Sequence, residues 1–413
     1  MPATADFSLR SIAVPAFGPS LLFGLGEGAI LPVVALSVRH LGGSVALAAL
    51  VVTLIGIGSL VTNIPASLFT ARYGERRAIV GAAVWGALGM VLCALVDSIW
   101  ALCIGVFMVG MANAVFSLAR QSYLTEAVPF HYRARALSML GGVIRIGLFI
   151  GPFPAAALIH VMGIAGAYWM GVAGLSMAAV VALRVPDLPG ETTPSPVAAD
   201  PAAGRAAGRR QPTTTVRSVA VDHRRVLLTI GIGVLLVSAV RASRQAIVPL
   251  WAEHIGLEPA VTALIYGLAG GLEMLVFLPA GHVMDRFGRI WVAVPCTVVM
   301  GLALLAMPFT HGATTLLIAA LVLGFGNGIG SGMIMTLGAD YSPSPGRAHF
   351  LGVWRLMADL GSTSGPALLS AVTAATALAA GIWCTAGVAF AAAVVLGYWI
   401  PRTPVRAVRR SAP

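Results

Sequence analysis

The chain contains one long stretch twice, and the two copies keep a single spacing. The residues that recur are Pro129, Arg133, Leu137, Gly147, Gly151 and Pro152 in the first copy, and Pro343, Arg347, Leu351, Gly361, Gly365 and Pro366 in the second. The offset is constant at 214 positions, since 343 − 129 = 214. A fixed register over most of the chain predicts a fold that is built from two similar halves.

The composition predicts a membrane protein. Of the 413 residues, 58% are hydrophobic and only 10% are charged, which is more apolar sequence than a soluble core needs. Apolar segments of about 20 residues can cross the hydrocarbon layer as helices. They lie near residues 20–38, 45–70, 78–96, 99–122, 135–159, 163–184, 226–250, 260–283, 290–308, 314–338, 350–373 and 377–400. The sequence therefore predicts an all-α polytopic membrane protein, with twelve transmembrane helices as two pseudo-symmetric six-helix bundles.

The positions of the arginines orient these helices. Arginines cluster in alternate connections and in both tails, whereas Arg39 alone is predicted on the opposite side. Because positively charged loops stay in the cytoplasm, both termini are predicted to be cytoplasmic, in the inner or plasma membrane of a prokaryote. The same placement explains the net charge of +11 without a nucleic-acid partner.

The chain is predicted to divide into two bundles, at residues 1–184 and 226–400, and a cytoplasmic tail at 401–413. Residues 185–225 are rich in proline, threonine, alanine and glycine, so we expect a flexible cytoplasmic linker there. The cysteines lie in apolar runs without metal-ligand spacing, at Cys93, Cys103, Cys296 and Cys384. The sequence therefore predicts no disulfide, no metal site and no cofactor.

A short motif resembles one found in the major facilitator superfamily. The loop after the eighth predicted helix has that family's GxxxDRxGR pattern, formed by Gly281, Asp285, Arg286, Gly288 and Arg289. The first-half copy keeps Arg72, but Ser67 and Ala71 replace its glycine and its acid. The resemblance implies a transporter in which two bundles move about a central site.

The glycine-proline segments of the repeat resemble the GxxxGP segment of the drug-proton antiporter branch. That branch usually carries an arginine in helix 4 where this chain has Phe107. Glycines let helices approach closely and a proline permits a bend, so both copies are candidate gating elements, with helix packing alone as the alternative. These candidates are Gly147, Gly151 and Pro152 with Gly361, Gly365 and Pro366.

The basic loops supply further gating candidates. Asp285 lies at a predicted helix end, where Arg286 or Arg289 could hold it in a latch that breaks on opening. Arg72 is the matching arginine of the first half. The alternative is a loop whose charges only orient the chain.

Charged residues inside the predicted helices are candidate site residues, because a charge at the bilayer centre is costly unless it faces a cavity or a partner. They are Glu27, Arg120, Arg145, Arg241, Arg244, Glu273, Arg355 and Asp359. In the repeat register, Glu27 occupies the same position as Arg241, and Arg145 the same position as Asp359, so the two copies carry opposite charges there. We expect Glu27 and Arg145 to form one polar cluster, and Arg241 and Asp359 another.

The carboxylates are candidates for proton coupling. Glu27 leads, because a carboxylate held away from water can bind and release a proton as access to the cavity alternates. Glu273 and Asp359 are secondary candidates. The alternative for Glu27 is a permanent salt bridge with Arg145 or Arg120 that only tightens the bundle.

The arginines exceed the acids inside the membrane, which favours an anionic or amphiphilic small-molecule substrate. A guanidinium binds carboxylate or phosphate through two hydrogen bonds, so arginines are candidate substrate ligands unless local acids occupy them. The predicted substrate-binding residues are Arg120, Arg145, Arg241 and Arg244, together with the equivalent amides Asn113 and Asn327.

Three functions fit these observations. The leading prediction is a secondary active transporter that exports small organic compounds, drugs or metabolites, by proton antiport. The second is an importer or uniporter of an anionic metabolite that the intramembrane arginines bind. The third is a sensor or assembly partner without a transport cycle. An enzyme is not predicted, because no nucleophile and base, zinc signature or phosphate-binding loop occurs.

Overall fold

The computed structural model describes residues 13–127, 130–184, 216–330, 332–343 and 347–403. These residues are helical apart from short turns and connections. Eleven segments have the length and hydropathy of a membrane span. The twelfth, at 347–375, carries Arg355 and Asp359 within a helix of the same length class. All twelve predicted helices therefore correspond to helical spans.

Six spans form the first half. The first is divided into α1 (Ala13–Ile30) and α2 (Val34–His40), and the fifth into α6 (Phe130–Ile150) and α7 (Pro152–Met162). The undivided spans are α3 (Val45–Tyr73), α4 (Glu75–Leu95), α5 (Ile99–Ala127) and α8 (Ala165–Leu183). Proline explains both divisions, since Pro32 lies in the turn after α1 and Pro152 begins α7.

The second half repeats this order. Its first span contains α10 (Arg224–Val226), a π-helical segment (Leu227–Gly231) and α11 (Ile232–His254), preceded by α9 (Val216–Asp222). Next come α12 (Pro259–Phe287), α13 (Ile290–Ala306) with a 3₁₀ turn (Met307–Phe309), and α14 (Ala313–Ile329) with α15 (Met333–Tyr341). The last two spans are α16 (Arg347–Ala375) and α17 (Leu378–Arg402).

The C-terminal end of the predicted linker is helical. Residues 216–222 form α9, although residues 185–225 were predicted to be flexible. Val219 in α9 is buried in a cluster with Phe350 and Trp354 of α16, and this burial gives the segment the apolar contacts that an isolated linker lacks. The rest of the predicted linker, residues 185–215, lies outside the described residues.

The repeat is visible in the backbone. We call residues 214 positions apart equivalent. Gly42 and Gly256 both have a φ of 80°, and Gly74 and Gly288 have φ values of 82° and 99°. Only glycine adopts such angles without strain, so the same residue ends the same helices in both halves.

The glycines of the GxxxGP segments pack helices inside each half. A Cβ atom on Gly147 or Gly151 would meet the backbone of α1, at Leu21 or Leu25. In the second half, Gly361 and Gly365 meet α11 at Leu235 and Ala239, the residues equivalent to Leu21 and Leu25. These contacts bring α6 onto α1 and α16 onto α11.

The two halves meet through α3 against α16 and through α7 against α12. We call the face that carries the start of α1 and the end of α17 proximal, and the opposite face distal. Near the distal face, the Ser370 hydroxyl donates to the Ala46 carbonyl at 2.7 Å. Gly267 of α12 likewise lies against Pro152 and Phe153. The halves are thus joined at their distal ends.

An ion pair also joins the halves at the distal face. Nε of Arg39 lies 3.0 and 2.9 Å from the two carboxylate oxygens of Glu253. Nη1 of Arg39 also donates to the Gly43 carbonyl at 2.7 Å. Residues 39 and 253 are equivalent, so the pair joins one position of the repeat to its own copy.

Candidate functional site

A cavity of about 310 Å³ lies between the halves at mid-span. Its wall comes from α1, α3, α5, α11, α14 and α16. The charged and amide side chains that line it are Glu27, Asn113, Arg241, Arg244, Gln245, Asn327 and Asp359. A polar cavity at the interface of two helical bundles suits a small solute.

Glu27 is held in this cavity by an amide. Nδ2 of Asn113 donates to Oε1 of Glu27 at 3.0 Å, and the Ser117 hydroxyl donates to Oδ1 of Asn113 at 3.3 Å. Because an ionised carboxylate only accepts hydrogen bonds, the amide nitrogen is the group that faces it. No arginine in the described part of the chain lies within 4.0 Å of the Glu27 carboxylate.

Arg241 is equivalent to Glu27 but carries the opposite charge, and it contacts the equivalent asparagine. Its Nη2 donates to the Asn327 carbonyl at 3.3 Å, and Asn327 is equivalent to Asn113. This carbonyl belongs to the last turn of α14, which ends at Ile329. The final carbonyls of a helix lack partners within the helix and attract a cation, so Arg241 stabilises the interruption of the tenth span.

A second cavity, of about 120 Å³, adjoins the first and shares Leu31, Arg244 and Gln245 with it. Arg244 and Glu273 form a salt bridge there at 2.9 Å, with side chains only 16% and 18% exposed. The Arg244 guanidinium carbon lies 5.7 Å from the centre of the Tyr266 ring. This pair ties α11 to α12 inside the second half.

Arg145 and Asp359 each reach across to the opposite half. The guanidinium carbon of Arg145, in α6, lies 4.4 Å from the centre of the Phe277 ring in α12. Asp359, in α16, accepts a hydrogen bond from Asn63 in α3 at 3.4 Å. Because Arg145 is equivalent to Asp359 and Phe277 to Asn63, the two contacts are equivalent. Asp359 also lies 3.9 Å from Arg355.

The structure brings together all the predicted proton-coupling and substrate-binding residues except Arg120, which lines neither cavity. Arg120 lies with its guanidinium carbon 5.8 Å from the Phe116 ring. Arg241 and Asp359 line one cavity together, as expected, but Glu27 and Arg145 are separated. Glu27, Arg241 and Asp359 share one cavity, whereas Arg145 lies with Arg244 and Glu273. Both halves line the cavities, so Glu27 lies beside charges of the second half and Arg145 beside the Arg244–Glu273 pair.

The arginines among the predicted gating residues have their described contacts within one half, whereas Pro152 also lies against Gly267 of the other half. Nε of Arg289 lies 2.6 Å from Oδ2 of Asp340, a contact that the sequence did not predict. This follows from the fold, because α15 ends beside the loop that carries Arg289. Arg286 and Arg72 are exposed, each near the ring of the next residue. The Asp285 side chain lies outside the described structure.

Sequence reasoning missed the contacts that join the halves. The repeat register contained the signal. Arg39 and Glu253 are equivalent to each other, and the contact of Asn63 with Asp359 is equivalent to that of Phe277 with Arg145. Tyr266 has no such signal, because an aromatic residue in an apolar helix is ordinary. Within the described residues, no three His, Cys, Asp or Glu side chains could hold a metal ion together.

Similarity to known proteins agrees with this architecture. An "Uncharacterized MFS-type transporter YdeG" of Bacillus subtilis (strain 168) is 26% identical over 369 residues, covering 85% of this chain and 83% of that protein. The crystal structure of a D-xylose-proton symporter superimposes with a TM-score of 0.71 at 16% identity, covering 96% of this chain and 99% of the other.

A POT family transporter in complex with 5-aminolevulinic acid gives a TM-score of 0.72 at 12% identity, over 97% of this chain and 98% of the other. At these identities, both structures show a shared fold and nothing finer. The sequence model of the Major Facilitator Superfamily matches residues 17–277 and 230–412, which together span both halves and the central cavity. The chain therefore belongs to the Major Facilitator Superfamily of membrane transporters.

Proposed function

We propose that this transporter couples the movement of a small organic compound to that of protons, with Glu27 as the proton carrier. The observation that carries the proposal is the environment of Glu27. Its carboxylate lines the central cavity, accepts a hydrogen bond from the Asn113 amide and has no arginine within 4.0 Å in the described structure. An amide can bond either protonation state of a carboxylate, so proton exchange breaks no ion pair.

The other two candidate carboxylates are less suited to carry protons. Glu273 is bound to Arg244 at 2.9 Å, and protonating it would leave a guanidinium charge without its counterion. Asp359 lies 3.9 Å from Arg355 and also accepts the Asn63 amide. Their roles in the proposal are to fix the arginines and to join the halves.

Transport follows from the arrangement of the halves. The cavity lies between two bundles whose described contacts run from mid-span to the distal ends, including Arg39 with Glu253. Rocking the bundles about the cavity would break those distal contacts and expose Glu27 to the other side. With the proximal face in the cytoplasm, this conformation is closed toward the outside.

Two coupling modes follow from the charge of the substrate. Export in exchange for protons, as in the drug-proton antiporter branch, requires the proton and the substrate to compete for Glu27, as a cationic substrate would. Uptake of an anion together with a proton requires both to bind at once. The alternative without proton coupling is uniport of an anion, in which Glu27 only supports the fold.

One experiment distinguishes these modes. Proteoliposomes that contain the pH-sensitive dye pyranine receive 3-phenylpropyltrimethylammonium or 3-phenylpropane-1-sulfonate outside, probes whose permanent charges prevent passive entry as neutral forms. Antiport of the cation makes the lumen more alkaline, and cotransport of the anion makes it more acidic. Solute entry without a pH change, measured with radiolabelled probes, indicates uniport.

The variant Glu27→Gln tests the carrier directly. Gln keeps the shape and the Asn113 contact but cannot exchange a proton, so we expect lumenal pH changes to fall at least tenfold. The control Glu258→Gln removes an exposed carboxylate at the start of α12 and should behave like the wild type. Proton movement that persists in Glu27→Gln at the wild-type rate would disprove the proposal.

A further inference from the structure

We infer that Arg241 and Arg244 form an oxyanion clamp in the central cavity, so that the substrate is a small organic compound with a carboxylate, sulfonate or phosphate group. The inference rests on the proposed function and names the substrate class of the same site. It depends on the geometry of α11, on buried donors and on the charges that face the cavity.

The two arginines are placed side by side by α11. They lie three residues apart, and residues at that spacing are neighbours on one helix face. Both line the same cavity. Each is anchored by a terminal nitrogen, Arg241 to the Asn327 carbonyl and Arg244 to the Glu273 carboxylate. Anchored side chains lose little further freedom when a ligand binds, which favours recognition.

Each arginine also retains a buried donor. Nε of Arg241 and Nε of Arg244 are inaccessible to solvent and have no hydrogen-bond acceptor in the described protein. Buried donors are nearly always bonded, so these two N–H groups call for an acceptor that the helices do not supply. An oxyanion has several acceptor oxygens and can bond two neighbouring guanidinium groups at once.

The charges around Glu27 determine when an anion can bind. The titratable groups that line the two cavities from neighbouring elements include Arg145 on α6, Arg241 on α11, Tyr266 on α12 and Asp359 on α16. Arg120 on α5 lines neither cavity but acts electrostatically on Glu27. Arg244 and Asp359 already have counterions in Glu273 and Arg355. Ionised Glu27 therefore offsets Arg120, which acts on it, and Arg241, which shares its cavity, and it repels an anion; protonated Glu27 does neither.

Proton and anion should thus bind together and move in the same direction. This assignment favours proton-anion cotransport over the antiport that the sequence resemblance implies. It also gives Arg241 two contacts of different kinds, with the end of α14 and with the substrate. A substrate bound to Arg241 would consequently act on the interrupted tenth span.

Binding to the purified wild-type protein tests the inference. Isothermal titration calorimetry with 3-phenylpropane-1-sulfonate, 3-phenylpropyltrimethylammonium and neutral 3-phenylpropan-1-ol compares three head groups on one apolar tail. We expect the sulfonate to bind in the millimolar range or tighter, and at least tenfold more tightly than the other two. We also expect its affinity to increase as the pH is lowered.

Charge-conserving variants locate the site. Arg241→Lys and Arg244→Lys keep a positive charge but remove the planar set of donors, so each should weaken sulfonate binding about tenfold. Arg225→Lys, at the proximal end of the same span, is the matched control and should bind like the wild type. Thermal unfolding of each variant verifies that it is folded, and if one lysine variant unfolds during purification, the sulfonate affinity of the other decides.

The results separate this inference from the proposed function. Equal or tighter binding of the ammonium probe, no sulfonate binding at millimolar concentration, or wild-type affinity in both lysine variants would overturn the clamp. Glu27 could still carry protons in each case. If instead the clamp variants lose binding while Glu27→Gln leaves the pH dependence unchanged, the clamp stands and the carrier role of Glu27 is wrong.

Discussion

At the scale of single residues, the charged side chains inside the membrane differ in the kind of group that contacts them. Glu27 has an amide, Arg241 a carbonyl, Arg244 a carboxylate, and Arg145 the face of an aromatic ring. The sequence was sufficient to place these residues at a cavity, because a charge in an apolar span needs a polar surrounding. It could not supply the partners, because they depend on how separate helices pack, within one half for Glu27, Arg241 and Arg244 and across the halves for Arg145.

The pair of Arg244 and Glu273 should contribute strongly to stability. Glu273→Ala would leave the buried guanidinium without a counterion, which typically costs about 3–5 kcal/mol. We expect a marked fall in the thermal unfolding temperature of the purified protein, whereas Glu258→Ala at an exposed position should change it little. Replacing both partners, as Arg244→Met with Glu273→Met, should recover most of the loss. A double variant as unstable as Glu273→Ala would contradict this account.

At the scale of elements, the GxxxGP segments illustrate what a motif can and cannot predict. Glycine spacing indicated close helix approach, and the structure identifies the partner as α1 for α6 and α11 for α16. A gating role remains a prediction, since these glycines face helices of their own half. Pro152 differs, because it begins α7 and lies against Gly267 of the other half.

Gly147 offers a sharp test of close packing. A Cβ atom there would overlap the Leu21 carbonyl and the backbone of Leu25, which cannot move as a side chain can. Gly147→Ala should therefore destabilise the protein by about 1–3 kcal/mol, as overpacked cores do. Gly141→Ala, in the same helix with no atom within 4 Å of its Cβ position, should be neutral or slightly stabilising. Equal unfolding temperatures for both variants would count against α1 as the partner.

At the scale of the whole molecule, the repeat register carried most of the prediction. All twelve spans were located because each needs a long apolar run, and the equivalence of the halves recurs in Gly42 with Gly256 and in Gly74 with Gly288. Bends in the fifth span, at Pro152, and in the tenth, at its glycine run, were predicted as possible, but the interruption of the first span was not. Proline and glycine occur inside membrane helices that stay continuous as well as in interrupted ones. Whether a helix is interrupted depends on the neighbouring helices, which supply partners for the freed backbone groups.

The same register leads to the distal ion pair. Arg39 and Glu253 occupy one position in the two copies, so exchanging their charges should rebuild the same pair with the halves reversed. Single reversals, Arg39→Glu or Glu253→Arg, place like charges opposite each other. Because both side chains are about one-third exposed, 32% and 33%, the pair should contribute no more than about 1 kcal/mol.

We therefore expect each single reversal to increase the population open at the distal face about fivefold, and the double variant to return it to the wild-type level. Double electron-electron resonance between spin labels at Asp97 and His311, in exposed distal loops of the two halves, would measure the populations after the native cysteines are replaced. High salt should reduce the effect of the single reversals, since it screens exposed charges. If the double variant opened as far as the single variants, exchanging the two charges would not rebuild the closing contact, and this account of the pair would be wrong.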